Sequence, residues 1–250
     1  SAITTTITTG IGNFNTVSGT TTSNLQFTDN GTANLNNGLT GNVTTTADNK
    51  GTLNLVGSNN QTVTGTVGGV GASLEKVSSG ATGATSTFVN NVYANTVENT
   101  GTGATTFQDN VTATNVNVNA GTSTFQDNLT ATTTTITTGT GNFNTVSGTT
   151  SSDIVFGADG VANLNNGLTG DINFAGNDAT VNVSDGKGIL GSIETLATNN
   201  TGIVNFKGDG TISGNIGNIY GIKELNINTN NEQNNADGVL VTFDALGREI

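Results

Sequence analysis

The chain is 250 residues long, lacks Pro, Cys, Met, Trp and His, and carries 18 acidic residues against 6 basic ones, a formal net charge of −12. Without His or Cys it has no Ser-His-Asp triad, no Cys-His pair and no zinc site built on imidazole or thiolate. Its cations (Lys50, Lys76, Lys187, Lys207, Lys223 and Arg248) are scattered along the sequence. That excludes the clustered basic face that nucleic acid needs and the polybasic patch that an anionic membrane needs.

In chain order, the first element is a run from Thr4 to Thr21, TTTITTGIGNFNTVSGTT, followed by GTANLNNGLTG from Gly31 to Gly41. Short alternating strands are predicted next, beginning with Leu53 and Leu55. The cluster Gly65, Gly68, Gly69 and Gly71 matches no G-x-G-x-x-G motif and opens no helix, so it is no nucleotide site. Three related units follow: TFVNNVYANTV from Thr87, TFQDNVTATNV from Thr106 and TFQDNLTATTT from Thr124. Alternation within them marks Val111 and Ala113, then Val116 and Val118. From Thr133 the opening run returns as TTTITTGTGNFNTVSGTT, with Thr140 for Ile11 as the single change, and Gly160 to Gly170 repeats Gly31 to Gly41. Residues 133–170 thus restate residues 4–41 at one constant offset. Val181 and Val183 form a further strand; Ser192 to Gly202 restates Ser73 to Gly83; Leu225 and Ile227 close the series.

A finer step carries Phe88 to Phe107, then to Phe125 and Phe143. Self-similarity at about 20 residues is the mark of a stacked solenoid, whose coils cannot bury their apolar faces singly. Thr, Val, Ile and Phe fit a pleated surface, Gly and Asn supply turns, and the absence of Pro leaves nearly every backbone position free to donate in a ladder. A 3.6-residue apolar period is lacking. Polar low-complexity chains are often disordered, but here charge is low and apolar residues recur at fixed places between turn signals. The fold expected is all-β: one elongated parallel β-helix (β-solenoid) over residues 1–250. It is expected to be right-handed, although a step of three hexapeptides also suits a left-handed form. Coils of about 18–20 residues with some longer loops predict roughly 13 turns and a rod on the order of 60 Å. Phe88, Phe107, Phe125 and Phe143 should form an internal ladder. The short step from Phe143 to Phe156 and the long step from Phe174 to Phe206 predict departures from a single column.

Paired carboxylates are the main chemistry left to such a chain. Asp109 and Asp127 occupy the same place in successive TFQDN units, and stacking brings them near the separation of a retaining glycosidase pair, about 5–6 Å. The competing readings are a coil corner whose Asp caps its own backbone, and a calcium ligand. Asp159, Asp185, Asp209 and Asp237 each precede Gly, and Asp209 joins Asp109 and Asp127 as a calcium candidate. The tandem G-G-x-G-x-D pattern of calcium β-rolls is missing, however, and Asp-Gly also makes an ordinary turn. Asn42, Asn110 and Asn128 open Asn-x-Thr triplets, which matter only in a glycosylating pathway. No catalytic residue and no cofactor is assigned, with calcium as the one ion considered, and the chain is read as a non-enzyme.

The Thr/Asn/Gly-rich coils, GTLNLVGSNNQTVTGTVGG (Gly51 to Gly69), GTISGNIGNI (Gly210 to Ile219) and the long repeats resemble the passenger regions of rickettsial surface cell antigens. The resemblance covers most of the chain. It implies an autotransporter outer-membrane protein: an exported β-helix at the bacterial cell surface, acting in adhesion or a surface layer. Bacterial S-layer proteins of similar composition are the competing resemblance. A membrane barrel, usual in that family, is not among these residues, and no apolar run approaches the ~20 residues of a transmembrane helix. Starting in mid-repeat, the chain is expected to be a piece of a longer protein. Self-association, a lattice or filament, and a host receptor or glycan are the expected partners. Nucleic acid and direct membrane insertion are not expected. A carbohydrate-active β-helix, binding or cleaving a glycan along one face, is the alternative.

Overall fold

The computed structural model describes residues 3–14, 19–175, 178–196, 198–227 and 241–243. Among these residues there are 28 strands and no helix, and every strand pairing is parallel. The strands stack as a β-solenoid of about 11 turns, fewer than the sequence leads one to expect. The reason is coil length, which the numbering of paired residues shows directly. Phe107 pairs with Phe125 and Ile154 with Ile172, across short coils, but Thr52 pairs with Lys76 and Gln61 with Ser86, across coils a third longer. At about 4.8 Å per coil the stack is about 50 Å long.

Each turn crosses three faces. The first face starts with Thr4–Ile7, Asn24–Phe27 and Val43–Thr45 and continues through Val67 to Val92. The second starts with Ile11–Phe14, Thr32–Leu35, Thr52–Leu55 and Leu74–Ser79. The third runs from Thr21–Thr22 and Leu39–Thr40 through Thr85–Phe88, Ala104–Phe107, Thr122–Phe125 and Thr140–Phe143 to Ile222–Ile227.

In the middle coils the first two faces belong to one continuous strand. Val92–Asn99 buries Val92 and Ala94, then Val97 and Asn99, so two successive residues, Asn95 and Thr96, point outward where the strand bends. Val111–Val118 and Leu129–Ile136 bend at the same place. A break in the period of two moves the buried side from one phase to the other without ending the ladder. Elsewhere glycine makes the corner. Gly41 and Gly170 have φ of 146° and 143°, a region that only glycine occupies readily, and a β-carbon there would lie 2.2 Å from the carbonyl oxygens of Ser23 and Ser152.

The two sequence copies keep their local register. Ile7 pairs with Phe27 as Ile136 pairs with Phe156, and Leu25 with Val43 as Ile154 with Ile172. They do not lie on the same face. Pairing carries Thr5 through Leu25, Val43, Val67, Val92 and Val111 to Leu129, six turns on. The sequence counterpart of Thr5 is Thr134, which lies beyond Leu129 and falls one side further round, on the second face. One repeat therefore equals six turns and one side.

The buried apolar residues form one cluster that runs the length of the stack, from Ile7 to Ile212. It is not wholly hydrocarbon. The Ser79 and Thr105 hydroxyls meet at 2.9 Å, and buried Asn99 donates to the carbonyls of Gly103 and Thr122 at 3.2 Å each. Of the last predicted strand, Leu225 is half-buried and Ile227 is 45% exposed, because no further coil among the described residues covers the third face there.

Candidate functional site

The repeated side chains make columns along the stack. Phe88, Phe107, Phe125 and Phe143 lie on the third face with ring centroids 5.0, 5.0 and 5.4 Å apart and planes within 8° of parallel. Parallel in-register pairing forces this, since equivalent Cβ atoms recur at the inter-strand spacing. Leu164, Val183 and Phe206 extend the same column. Phe156 and Phe174 instead stack on the second face, 5.1 Å apart, which accounts for the short step from Phe143.

Outside, asparagines form hydrogen-bonded columns. On the third face Asn163 donates to Asn142, Asn182 to Asn163, Asn205 to Asn182 and Asn226 to Asn205, at 2.7 to 2.9 Å. The repeat supplies its counterpart on the second face, where Asn34 donates to Asn13 and Asn54 to Asn34 at 2.9 and 3.0 Å. In every bond the amide nitrogen points to the earlier coil. A corner column adds Asn110 donating to Asn91 and Asn128 donating to Asn110. These columns do carry a sequence signal, the Asn in GNF, ANL, LNL and VNV, which a reading centred on Phe and Asp misses.

The acidic candidates lie at corners. Asp109 and Asp127 follow closely on paired Phe107 and Phe125, so they occupy equivalent positions in adjacent coils, and both are half-buried. Asp109 accepts from the backbone N–H and the side-chain amide of Asn110, at 2.8 and 2.7 Å. Gly148 packs above Asp127 at φ 86°, where a β-carbon would lie 2.4 Å from the carboxylate oxygen. Asp209 donates its backbone N–H to Asp185, and Asp178 does the same to Asp159, each at 2.9 Å. Asp153 and Asp171 likewise accept backbone N–H groups of the following coil, from Asp171 and Ser192. Carboxylates here tie one coil to the next. Among the described residues no group of three or more Asp or Glu gathers as a metal site. Asp237 and Arg248 lie outside the described residues.

Three ion pairs are present among the described residues: Lys50 with Asp29 at 3.0 Å, Lys223 with Asp178 at 3.4 Å, and Lys76 with Glu98. The hydrogen bond from Lys50, the N–H of Asn30 and the Lys50 charge together hold the Asp29 carboxyl below its usual range. A surface groove of about 350 Å³ opens on the first face, where Thr149, Asn166, Gly167, Lys187, Gly188 and Leu190 line it. Its small residues leave room between coils, and Lys187 brings a cation.

No helix among the described residues is long and apolar enough to cross a membrane. In comparisons with protein-family models, characterised proteins and solved structures, nothing matches the chain. The geometry alone therefore sets the class: a repetitive parallel β-solenoid with internal aromatic columns and external asparagine columns.

Proposed function

We propose that this chain is a structural element of a bacterial cell surface, a β-helical stalk or surface-layer component that acts by adhesion or self-assembly and not by catalysis. The observation that carries this reading is the stack of about 11 parallel turns, with asparagine columns running along its faces. Length and repetition suit display and multivalent contact, whereas an enzyme concentrates unlike residues in one cleft. Corner carboxylates support the same reading: Asp153, Asp171 and Asp185 each accept a backbone N–H of the following coil, and Asp109 accepts that of its own neighbour Asn110. Export from the cell and resemblance to autotransporter passengers belong to the proposal. Antibodies against the chain should label intact cells of the source organism. Labelling only after permeabilisation would refute a surface role.

The groove at Lys187 favours a second reading, a glycan-binding face. Its Thr, Asn and Lys side chains offer donors to sugar hydroxyls and carboxylates. A glycan array probed with the wild type and Lys187→Ala tests it: selective binding lost in the variant supports the groove, and equal signals dismiss it.

A further inference from the structure

The same coil occurs twice in this chain, once covered by an earlier coil and once with no earlier coil among the described residues. In the second copy, Gly141, Asn142 and Phe143 sit on Ser123, Thr124 and Phe125, and the Thr140 N–H donates to the Gly121 carbonyl at 2.8 Å. In the first copy, Gly12, Asn13 and Phe14 have the same local packing, with each Phe ring folded over the glycine that precedes it in the strand. Among the described residues, however, nothing pairs with the outer edge of Ile11–Phe14. The N–H groups of Ile11 and Asn13 face that edge, because Thr32 and Asn36 already donate to Gly10 and Phe14 from the coil above. Ile11 is 69% exposed.

At the far end, Ile222–Ile227 closes the third face, and among the described residues nothing pairs with its outer edge, which has a matching pattern. Its Leu225, Asn226 and Ile227 follow Val204, Asn205 and Phe206 in register. The Asn226 amide donates to Asn205 and Glu224, and no described residue donates to its carbonyl oxygen. Asn13 accepts from Asn34, and no described residue accepts from its own amide nitrogen.

We propose that copies of this chain join head to tail, the Ile11–Phe14 edge of one adding to the Ile222–Ile227 edge of the next. Gly12 then meets Leu225, Asn13 meets Asn226, and Phe14 meets Ile227. The Ile11 N–H donates to the Lys223 carbonyl as Thr140 donates to Gly121. The Asn13 amide donates to Asn226 with the polarity of every other rung, so the asparagine column of the third face passes into that of the second face of the next copy. The joint turns each copy by one face, the rotation that the internal repeat already makes. Open sheet edges in register are templates for this addition, and the occupant here is a second copy because the chain contains the covered version of its own edge.

The inference rests on the stalk reading, and its test separates the two. Sedimentation equilibrium and electron microscopy of the 250-residue protein should show a concentration-dependent series of multiples of 25.0 kDa, as rods that lengthen in unit steps. Ile11→Pro removes an edge donor that no coil of its own chain uses, and Ile11→Lys places a charge at the same edge. Each should weaken association about tenfold while leaving the melting temperature of the monomer near that of the wild type. Amide exchange at Ile11 and Asn13 should slow as concentration rises. A wild type that stays monomeric, side-by-side assemblies, or polymers indifferent to both substitutions would overturn the joint. Monomeric rods would still leave the stalk reading standing.

Discussion

At the residue scale, the columns decide what a substitution costs. Phe125 is 1% exposed and lies between two rings 5.0 and 5.4 Å away, so truncation removes its own burial and the stacking on both sides. Phe125→Ala should destabilise the protein by about 3–5 kcal/mol, measured by denaturant unfolding. Phe125→Leu should cost clearly less, since Leu164 already serves in the same column two coils on. Asp29 behaves differently because its side chain is half exposed and its one charged partner is a lysine. Its carboxyl pKa is depressed in the folded state, so the Lys50 contact contributes above the ordinary carboxylate range near 4 and is lost as pH falls through the lowered folded value. NMR titration should show Asp29 moving up toward that ordinary range in Lys50→Met, with little change in melting temperature at neutral pH.

At the element scale, glycine corners and bent strands set the register. Gly170→Ala places a β-carbon against the Ser152 carbonyl at a φ of 143° and should be strongly destabilising, while alanine at Gly69, whose β-carbon meets nothing, should be nearly neutral. Paired thermal melts of the two variants check this. The strands and the Phe88 to Phe143 column were legible in the sequence because an inward side chain recurs whenever coils of near-equal length stack in register. The turn count was not legible. The longer coils around Lys76 and Val67 carry no Phe to mark their step, and only pairing reveals their length. The corner inside Val92–Asn99 was equally hidden, because its outward pair is Asn95 and Thr96 in that coil but Thr132 and Thr133 in another, so no fixed turn residue marks it. The carboxylates of Asp109 and Asp127 were rightly placed in adjacent coils by their repeat. Their hydrogen-bonded surroundings depend on corner geometry that spacing does not convey.

At the scale of the whole molecule, a repeat of six turns and one side spreads its copies around the stack, so equivalent surfaces face different directions. The asparagine columns show the consequence, three asparagines joined on the second face and five on the third. Everything at this scale depends on parallel stacking in the stated register. The absence of cysteine lets nitroxide labels be placed at chosen pairs without background. Labels at Thr106 and Thr124, a full coil apart in sequence but paired on the third face, should show strong dipolar broadening in electron paramagnetic resonance. Labels at Thr106 and Thr114, much nearer in sequence but on different sides of one coil, should show much less. Broadening that follows sequence distance instead, strong for the near pair and weak for the far one, would contradict the stack.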